Sequence, residues 1–211
     1  MAYPYSHHSE ATLEEKVRAM SVTDRIRIIE AYVGDRTNRR HRPGRAFERP
    51  FYRFDILSDY GAFRDMQRHR MLSIEWQKLN PHHGYTKPEL VDEAGVGKEF
   101  ESVMARSHAL YEDLMEETPV QASYAVCMAY KVRYNMNLNA RSAMHTIELR
   151  SVPQGHPAYR KVAQEMHKLI AEKAGHRAIA AAMSYVNHSS EADLERIEAE
   201  RRSEQKRNAA S

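Results

Sequence analysis

The chain of 211 residues carries 32 lysines and arginines against 29 acidic residues, which gives a formal net charge of +3. Its length allows one sizeable hydrophobic core or two small ones, and so small a basic excess does not by itself indicate a nucleic-acid-binding protein. The single cysteine, Cys127, excludes an intrachain disulfide framework. With no long apolar run and no recognisable secretory signal, we expect a cytoplasmic protein without a membrane partner.

Two short helices are predicted near the N-terminus. Ser9 or Thr12 can cap the first, and Thr23 or Asp24 can open the second, whose apolar residues recur at helical spacing. Gly34 then provides a stop, because glycine readily adopts the backbone conformation found just beyond a helix.

An arginine-rich loop, one strand and one helix are predicted next. Residues 35–46 hold five arginines together with a proline and a glycine, which is a loop composition. Residues 51–57 (FYRFDIL) alternate large apolar and polar side chains and predict a strand. Asp59 can cap a following helix, and we expect that helix to run through residues 64–79, which include Arg68-His69-Arg70.

The rest of the chain is predicted to be largely helical. Residues 80–88 have a loop composition, whereas 89–117 are amphipathic at helical spacing. Residues 120–149 are rich in apolar side chains and are predicted to hold one long or two abutting helices. Pro157 suits the first turn of a further helix that ends before Gly175.

These elements predict a mainly helical α+β fold with a small antiparallel or mixed sheet. We find no convincing linker and predict a single domain over residues 1–211. Residues 1–8 should form a loose N-terminus, and residues 190–211, which mix charges and carry few apolar side chains, an exposed helical or frayed tail.

Two groups of basic residues could bind an anion. Arg64 and Arg68 are spaced one helical turn apart, and paired guanidinium groups suit phosphate, although a solvated helix face is the more ordinary explanation. Arg141 and His145 share a predicted helix face within an apolar segment, with Arg150 at its end. That face is either exposed to solvent or lines an anion site, and the spacing leaves both readings open.

Other site chemistries receive less support from the sequence. The adjacent pairs His7-His8 and His82-His83 lack a metal-ligand spacing, so no metal site is predicted. Cys127 lies in an apolar run without a neighbouring base, so no protein nucleophile is predicted. The arginines of residues 36–45 lack an aromatic stacking platform, which argues against nucleic-acid binding.

Two blocks of the sequence resemble the flavin-dependent thymidylate synthases. The first is Arg68-His69-Arg70, which follows a strand opened by residues 47–49 and is itself followed by Ser73. The second carries that family's spaced asparagine, arginines, leucine and histidine at Asn139, Arg141, Leu149, Arg150 and His156. The resemblance covers about residues 47–170.

The resemblance implies reductive methylation of dUMP to dTMP, a step of nucleotide biosynthesis, with FAD as cofactor and with NADPH and methylenetetrahydrofolate as co-substrates. It implies a homotetramer, or an assembly with a related chain. The cofactor contacts implied are Arg68, His69, Arg70, Asn139, Arg141, His145 and His156. The contacts implied for the dUMP-like nucleotide are Arg64, Arg68, Ser73, Lys78 and Arg150.

The sequence also departs from the family pattern. The signature's asparagine, glutamate, serine and arginine after Ser73 are replaced by Glu75, Trp76, Lys78 and Asn80. The positions that the resemblance assigns to flavin binding therefore match the family pattern better than the positions it assigns to dUMP binding. Two interpretations stay open: an enzyme with a diverged substrate stretch, or a non-catalytic or partner-dependent subunit that binds flavin or nucleotide.

Overall fold

The computed structural model describes residues 1–190 together with Glu198, Arg201 and Gln205. Most of the predicted tail over residues 190–211 therefore lies outside the described residues. The α-helices are α1 (Glu10–Ala19), α2 (Val22–Val33), α3 (Tyr60–Met66), α4 (Glu89–Glu93), α5 (Gly97–Glu117), α6 (Ala140–Arg150), α7 (Pro157–Glu172) and α8 (Arg177–Ala182). The strands are β1 (Phe51–Asp59), β2 (Ser73–Trp76) and β3 (Lys131–Asn139). Short 3-10 helices span Tyr3–Tyr5, Arg45–Glu48 and Ala122–Ala125.

The chain divides into two compact units. Unit 1 comprises Met1–Tyr52, Leu138–Gly155 and the described part of Ala163–Ser211. Unit 2 comprises Arg53–Asn137 and His156–Val162. The single-domain organisation over residues 1–211 stays a prediction.

The three strands form one small antiparallel sheet in the order β1-β3-β2. In the antiparallel pairing of β2 with β3, Ser73 lies opposite Asn137 and Trp76 lies opposite Tyr134. Side chains alternate between the two faces of β3, so that Tyr134 and Met136 are buried while Arg133 is exposed. This small sheet within a mainly helical chain confirms the predicted α+β class.

The prediction of helix across residues 120–149 is wrong over β3. Its sequence, KVRYNMNLN, places apolar groups at every second position, and that alternation fits a strand with one buried face. The neighbouring apolar residues make the whole segment as rich in apolar side chains as a buried helix. The fraction of apolar residues alone does not distinguish a buried helix from a buried strand. Only Ala140–Arg150 of the predicted helical segment forms an α-helix.

Side-chain caps fix the starts of three helices. Ser9 caps α1, as predicted, and Ser21 caps α2 in place of Thr23 or Asp24. Asp59 caps α3, as predicted, by accepting a hydrogen bond of 2.7 Å from a backbone N–H of the first turn. Each cap satisfies a backbone donor that would otherwise lack a partner inside its helix.

The buried side chains are mainly aromatic, aliphatic and methionine groups. In unit 2, the ring of Phe63 lies 4.7 Å from that of Tyr134, and both residues are buried. In unit 1, the buried groups include Phe47, Ile147 and Met166. Among the described residues, no helix is both long enough and apolar enough to cross a membrane.

Candidate functional site

The tripeptide Arg68-His69-Arg70 lies in an exposed turn between α3 and β2. The prediction of a helix through residues 64–79 is wrong beyond Met66, because α3 ends there and Ser73–Trp76 form strand β2. The backbone N–H groups of Arg68 and His69 donate to the carbonyls of Asp65 and Met66, both at 3.4 Å, which closes the helix as a tight turn. The Arg68 side chain is 72% exposed and meets Asp65 at 3.5 Å, so its guanidinium group remains accessible to a ligand.

Arg64 lies in the last turn of α3 and is turned towards an aromatic ring. Its guanidinium carbon sits 6.0 Å from the centre of the Tyr60 ring, a cation–π arrangement. Because α3 stops before Arg68, the two arginines do not share the helix face that their spacing predicted. Arg64 is exposed, and its role in binding substrate stays a prediction.

Gln67, directly before this turn, carries a buried acceptor without a partner. Its side-chain Oε1 is buried and accepts no hydrogen bond within the described part of the chain. Leaving a buried polar atom unsatisfied costs about 1–3 kcal/mol, so such atoms often indicate a place where a ligand or an ordered water donates. No pattern in the sequence points to this residue, because the burial of one side-chain atom depends on its neighbours in space.

An open cleft of about 530 Å³ lies beside the sheet in unit 2. Its lining combines charged, amide and aromatic side chains from all three strands: Arg53, Asp55, Glu75, Trp76, Gln77, Arg133, Tyr134 and Asn135. The pairing of β2 with β3 sets Glu75 directly opposite Asn135. A concave surface with convergent polar groups and a bordering aromatic ring is typical of a small-molecule site.

An exposed ion pair crosses the cleft lining. Arg133 donates from Nε to Asp55 Oδ1 at 3.0 Å and from Nη2 to Asp55 Oδ2 at 2.9 Å. These hydrogen bonds lower the pKa of Asp55 and raise that of Arg133, so both groups stay charged at neutral pH. Because the pair is exposed, its contribution to stability is small, and its main effect is to orient the Arg133 guanidinium group.

Trp76, the only tryptophan in the chain, borders the cleft. Its pairing with the buried Tyr134 places its indole on the sheet face opposite to that of Glu75 and Asn135. Its ring centre lies 5.5 Å from that of the buried Phe63, yet the residue is 53% exposed. The indole is therefore supported by the core while offering surface on which a planar ring can stack. Burial also raises the pKa of the neighbouring Tyr134 to about 12, which keeps that phenol neutral.

The stretch 71–80, where the sequence departs most from the family signature, contributes a wall of this cleft. Ser73 starts β2 and is exposed, whereas Glu75, Trp76 and Gln77 reach the cleft lining. Lys78 follows the strand and is also exposed. Sequence reasoning missed Arg53, Asp55, Gln77 and Asn135. The alternation along β1 and β3 carried the signal, because it places these residues on the outward face.

In unit 1, the start of α6 is held by two of the predicted cofactor ligands. Asn139 caps α6, its Oδ1 accepting a hydrogen bond of 2.8 Å from the N–H of Ser142. Arg141 donates from Nε to the carbonyl of Pro43 at 2.9 Å and pairs with Glu48 at 3.3 Å. Both side chains therefore have local structural partners within unit 1.

A buried ion pair joins the arginine-rich loop to α6. Arg36 donates to both carboxylate oxygens of Glu148, at 2.5 and 2.7 Å, and the two side chains are 4% and 1% exposed. Arg36 also donates to the carbonyls of His41, Arg39 and Ala182. Each nitrogen of the Arg36 guanidinium group donates a hydrogen bond within the protein, so this arginine has a structural role and fixes the loop.

His145 lies exposed on α6 in a positive electrostatic field. Desolvation by the surrounding protein lowers its pKa, and the charges of Arg42 and Arg39 lower it further. The imidazole is therefore neutral at pH 7 and offers one donor and one acceptor nitrogen. The arginine-rich loop thus acts electrostatically on a predicted site residue through Arg39 and Arg42.

His156 stands at the start of α7, in unit 2. Its Nδ1 accepts a hydrogen bond of 3.3 Å from the backbone N–H of Ala158, and its ring lies 6.4 Å from that of Tyr159. His156 is exposed, whereas Arg150, the last residue of α6, is partly buried.

The predicted site residues divide between the two units. Those in unit 2 are Arg64, Arg68, His69, Arg70, Ser73, Lys78 and His156, and those in unit 1 are Asn139, Arg141, His145 and Arg150. Within unit 2, the structure joins the exposed turn at residues 68–70 to the cleft wall through the short connection to β2. Within unit 1, it groups His145 with the charges of Arg39, Arg42 and Arg150.

A mainly helical α+β fold that carries an exposed arginine turn and a polar cleft bordered by an aromatic ring has the surface chemistry suited to planar, anionic ligands. The family model described as "Thymidylate synthase complementing protein" matches residues 2–176. The chain belongs to this family, which confirms the resemblance seen in its two sequence blocks.

Similar proteins come from bacteria and an archaeon. The chain is 41% identical over 161 residues to a UPF0159 protein of Chlamydia pneumoniae, covering 76% of this chain and 30% of the relative. It is 36% identical over 200 residues to a UPF0159 protein of Chlamydia muridarum, covering 95% and 37%. It is 32% identical over 189 residues to UPF0159 protein Ta1429 of Thermoplasma acidophilum, covering 89% and 37%. The chain spans about a third of the length of these curated relatives.

Proposed function

We propose that this protein is an FAD-dependent thymidylate synthase with a diverged substrate stretch. It would methylate dUMP reductively to dTMP, with methylenetetrahydrofolate as the carbon donor and NADPH as the reductant. The observation that carries the proposal is the family match over residues 2–176, in which Arg68-His69-Arg70 occupies an exposed turn. We also propose a cytoplasmic location and a homotetramer, or an assembly with a related chain.

The side chains around the turn fit the chemical groups of FAD. A pyrophosphate needs exposed cations, and the Arg68 guanidinium group is largely exposed. An isoalloxazine ring carries an N–H donor, and the buried Oε1 of Gln67 is an acceptor without a partner among the described residues. When bound, FAD would supply the hydride chemistry, and the protein would supply binding and orientation.

Each unit carries further residues of the proposed cofactor set. In unit 2, His69, Arg70 and His156 would join Arg68. In unit 1, the neutral imidazole of His145 can donate to or accept from a ring edge, because its pKa is lowered. Asn139 and Arg141 would bind through the polar atoms left over from their structural hydrogen bonds.

The cleft beside the sheet suits the nucleotide. Glu75 and Asn135, which face each other across β2 and β3, provide an acceptor and an amide for the edge of a base. Within unit 2, the phosphate would be bound by Arg64, Arg68 and Lys78, with Ser73 as a hydroxyl donor. Arg150 belongs to unit 1, and its contact with the substrate stays a prediction from the resemblance.

The experiment begins with the colour of the protein. The purified chain should show a flavin absorbance spectrum, or acquire one when FAD is added. Titration with dUMP should then quench the fluorescence of Trp76, which is the only tryptophan in the chain. NADPH oxidation should require dUMP and methylenetetrahydrofolate together.

Variants separate the site from the rest of the surface. Arg68→Ala should weaken FAD binding by at least about tenfold, since charge-assisted hydrogen bonds contribute about 1.5–3 kcal/mol each. Arg18→Ala, which removes an arginine that is similarly exposed on α1, is the matched control and should leave FAD binding unchanged. A colourless protein that gains no flavin on addition of FAD would contradict the proposal.

A second candidate function is a partner-dependent or non-catalytic flavin- or nucleotide-binding subunit. Its support is the divergence of Glu75, Trp76, Lys78 and Asn80 from the signature, two of which line the cleft. The relatives are about two and a half times as long as this chain, which leaves room for complementary residues elsewhere in them. Under this alternative the chain binds flavin but shows no dUMP-dependent NADPH oxidation until a related chain is added.

A further inference from the structure

We propose that His82, His108 and Glu112 form a binding site for a divalent transition-metal ion of the zinc type. All three belong to unit 2, and none of them is part of the cleft or of the exposed arginine turn. The site is independent of the proposed synthase reaction, so its test does not depend on the outcome for flavin or dUMP.

The ligand atoms converge at distances close to those of a metal site. His82 Nε2 lies 2.8 Å from Glu112 Oε1, and His108 Nε2 lies 3.3 Å from the same oxygen. One potential ligand atom from each of the three residues lies within 4.8 Å of the others. Tetrahedral zinc bonds of about 2.0–2.1 Å separate ligand atoms by roughly 3.3 Å. The pair of His108 and Glu112 already matches this separation, and the pair of His82 and Glu112 needs a shift of about half an ångström. The third pair, His82 and His108, lies within 4.8 Å and would be adjusted by rotation of the exposed side chains.

The backbone presents the three side chains from two ordered elements. His108 and Glu112 are one turn apart on α5 and therefore share a face of that helix. His82 lies in a tight turn whose backbone is fixed at 2.9 Å by the side chain of Asn80. Its ring also packs edge-on against the buried Tyr111, with ring centres 5.7 Å apart.

The ligand set favours zinc or a similar ion over calcium or magnesium. Two imidazole nitrogens and one carboxylate are ligands typical of zinc, whereas calcium and magnesium prefer oxygen-only sets. Three protein ligands leave at least one position for water. About half of each side chain is exposed, so an ion can reach the site from solvent without any opening of the fold.

The sequence alone did not predict this site, since it presented His82 as part of an adjacent histidine pair. A pair of neighbouring histidines carries no shared helix face, and His108 lies 26 positions further along the chain. The fold brings the turn that holds His82 alongside the middle of α5, so that His82 lies close to His108 and Glu112. His83, the other member of the pair, instead contacts Gln77 at 3.1 Å.

The test is a calorimetric titration of the full-length, untagged chain with zinc chloride. Cobalt(II) absorbance serves as a second readout of coordination by nitrogen and oxygen ligands. We expect one dominant site, and His82→Ala, His108→Ala and Glu112→Gln should each weaken binding at least about tenfold. His83→Ala and Glu116→Gln are matched controls from the same turn and the same helix, and both should bind as the parent chain does.

Thermal unfolding without metal confirms that each variant is folded, as expected for exposed positions. Zinc should raise the melting temperature of the parent and the controls, and should raise that of the three ligand variants less. The proposal is overturned if the parent chain binds no zinc. It is also overturned if the three ligand substitutions leave the affinity unchanged, which would mean that the three side chains form ordinary hydrogen bonds only.

Discussion

Replacing Glu148 with glutamine should strongly destabilise unit 1. The substitution keeps the size of the side chain but removes the negative charge beside the Arg36 guanidinium group, which is 4% exposed. It also places an amide N–H₂ where a carboxylate oxygen now accepts at 2.5 or 2.7 Å. The buried arginine would keep its carbonyl contacts with His41, Arg39 and Ala182 but lose its counter-charge.

The magnitude follows from the burial of both partners. Removing one member of a buried ion pair costs about 3–5 kcal/mol, because the remaining charge stays desolvated without compensation. For a chain of 150–250 residues, each kcal/mol lowers the melting temperature by about 2–4 °C. We therefore expect Glu148→Gln to lower it by roughly 6–20 °C.

The assay is urea unfolding followed by circular dichroism, with thermal unfolding as a second measure. The matched control is Glu14→Gln on α1, where Glu14 pairs with Arg18 at 3.5 Å but both side chains are mostly exposed. An exposed pair contributes at most about 1 kcal/mol, so the control should unfold almost as the parent chain does.

A double replacement distinguishes a buried pair from two independent contacts. Arg36→Met combined with Glu148→Leu removes both charges. The double variant should lose less free energy of unfolding than Arg36→Met and Glu148→Leu lose together as single variants. If Glu148→Gln changes the free energy of unfolding by less than about 1 kcal/mol, the pair does not hold the arginine-rich loop to α6, and the reasoning fails.

Three further predictions concern single side chains. Asp59→Ala removes the cap of α3 and should lower the free energy of unfolding, measured in urea, by about 1 kcal/mol. Asp59→Asn can still cap the helix and should keep most of that stability. The folded protein lowers the pKa of His145, so the free energy of unfolding should fall as the pH drops below 6.5. His145→Gln should make this fall shallower, and an unchanged dependence of stability on pH would contradict the prediction. Tyr134 ionises near 10 when unfolded but has a folded pKa of about 12. Stability should therefore fall as the pH rises from 10 through 12, and less steeply in Tyr134→Phe, as alkaline unfolding would show.

The local chemistry of the chain was enough to predict several elements. The caps at Ser9 and Asp59, the alternation at the start of β1 and the amphipathic spacing of α5 all act within a few residues, and the structure confirms them. The family was also readable from the sequence, because two separated blocks matched one known pattern and the family model covers both.

The errors arose where neighbours in space decide the outcome. β3 was predicted as helix, although the strand is stabilised by pairing with β1 and β2 on its two sides. The helix expected through Arg68 ends at Met66, and the chain then turns to enter β2, which pairs with β3. A strand in the middle of a sheet depends on partners that are distant in sequence, so local composition does not reveal it.

The order of residues was enough to predict the family and the fold class of this protein and to show which positions carry charge. What those charges do depends on the fold: Arg36 is buried against Glu148, Arg68 is exposed in a turn, and the pKa of His145 is lowered by a loop about a hundred residues earlier. It also decided that the diverged stretch forms a cleft wall with Trp76 exposed. The physical reason is that burial, electrostatic field and unsatisfied hydrogen bonds are properties of surroundings, and the surroundings of a residue are set by the fold.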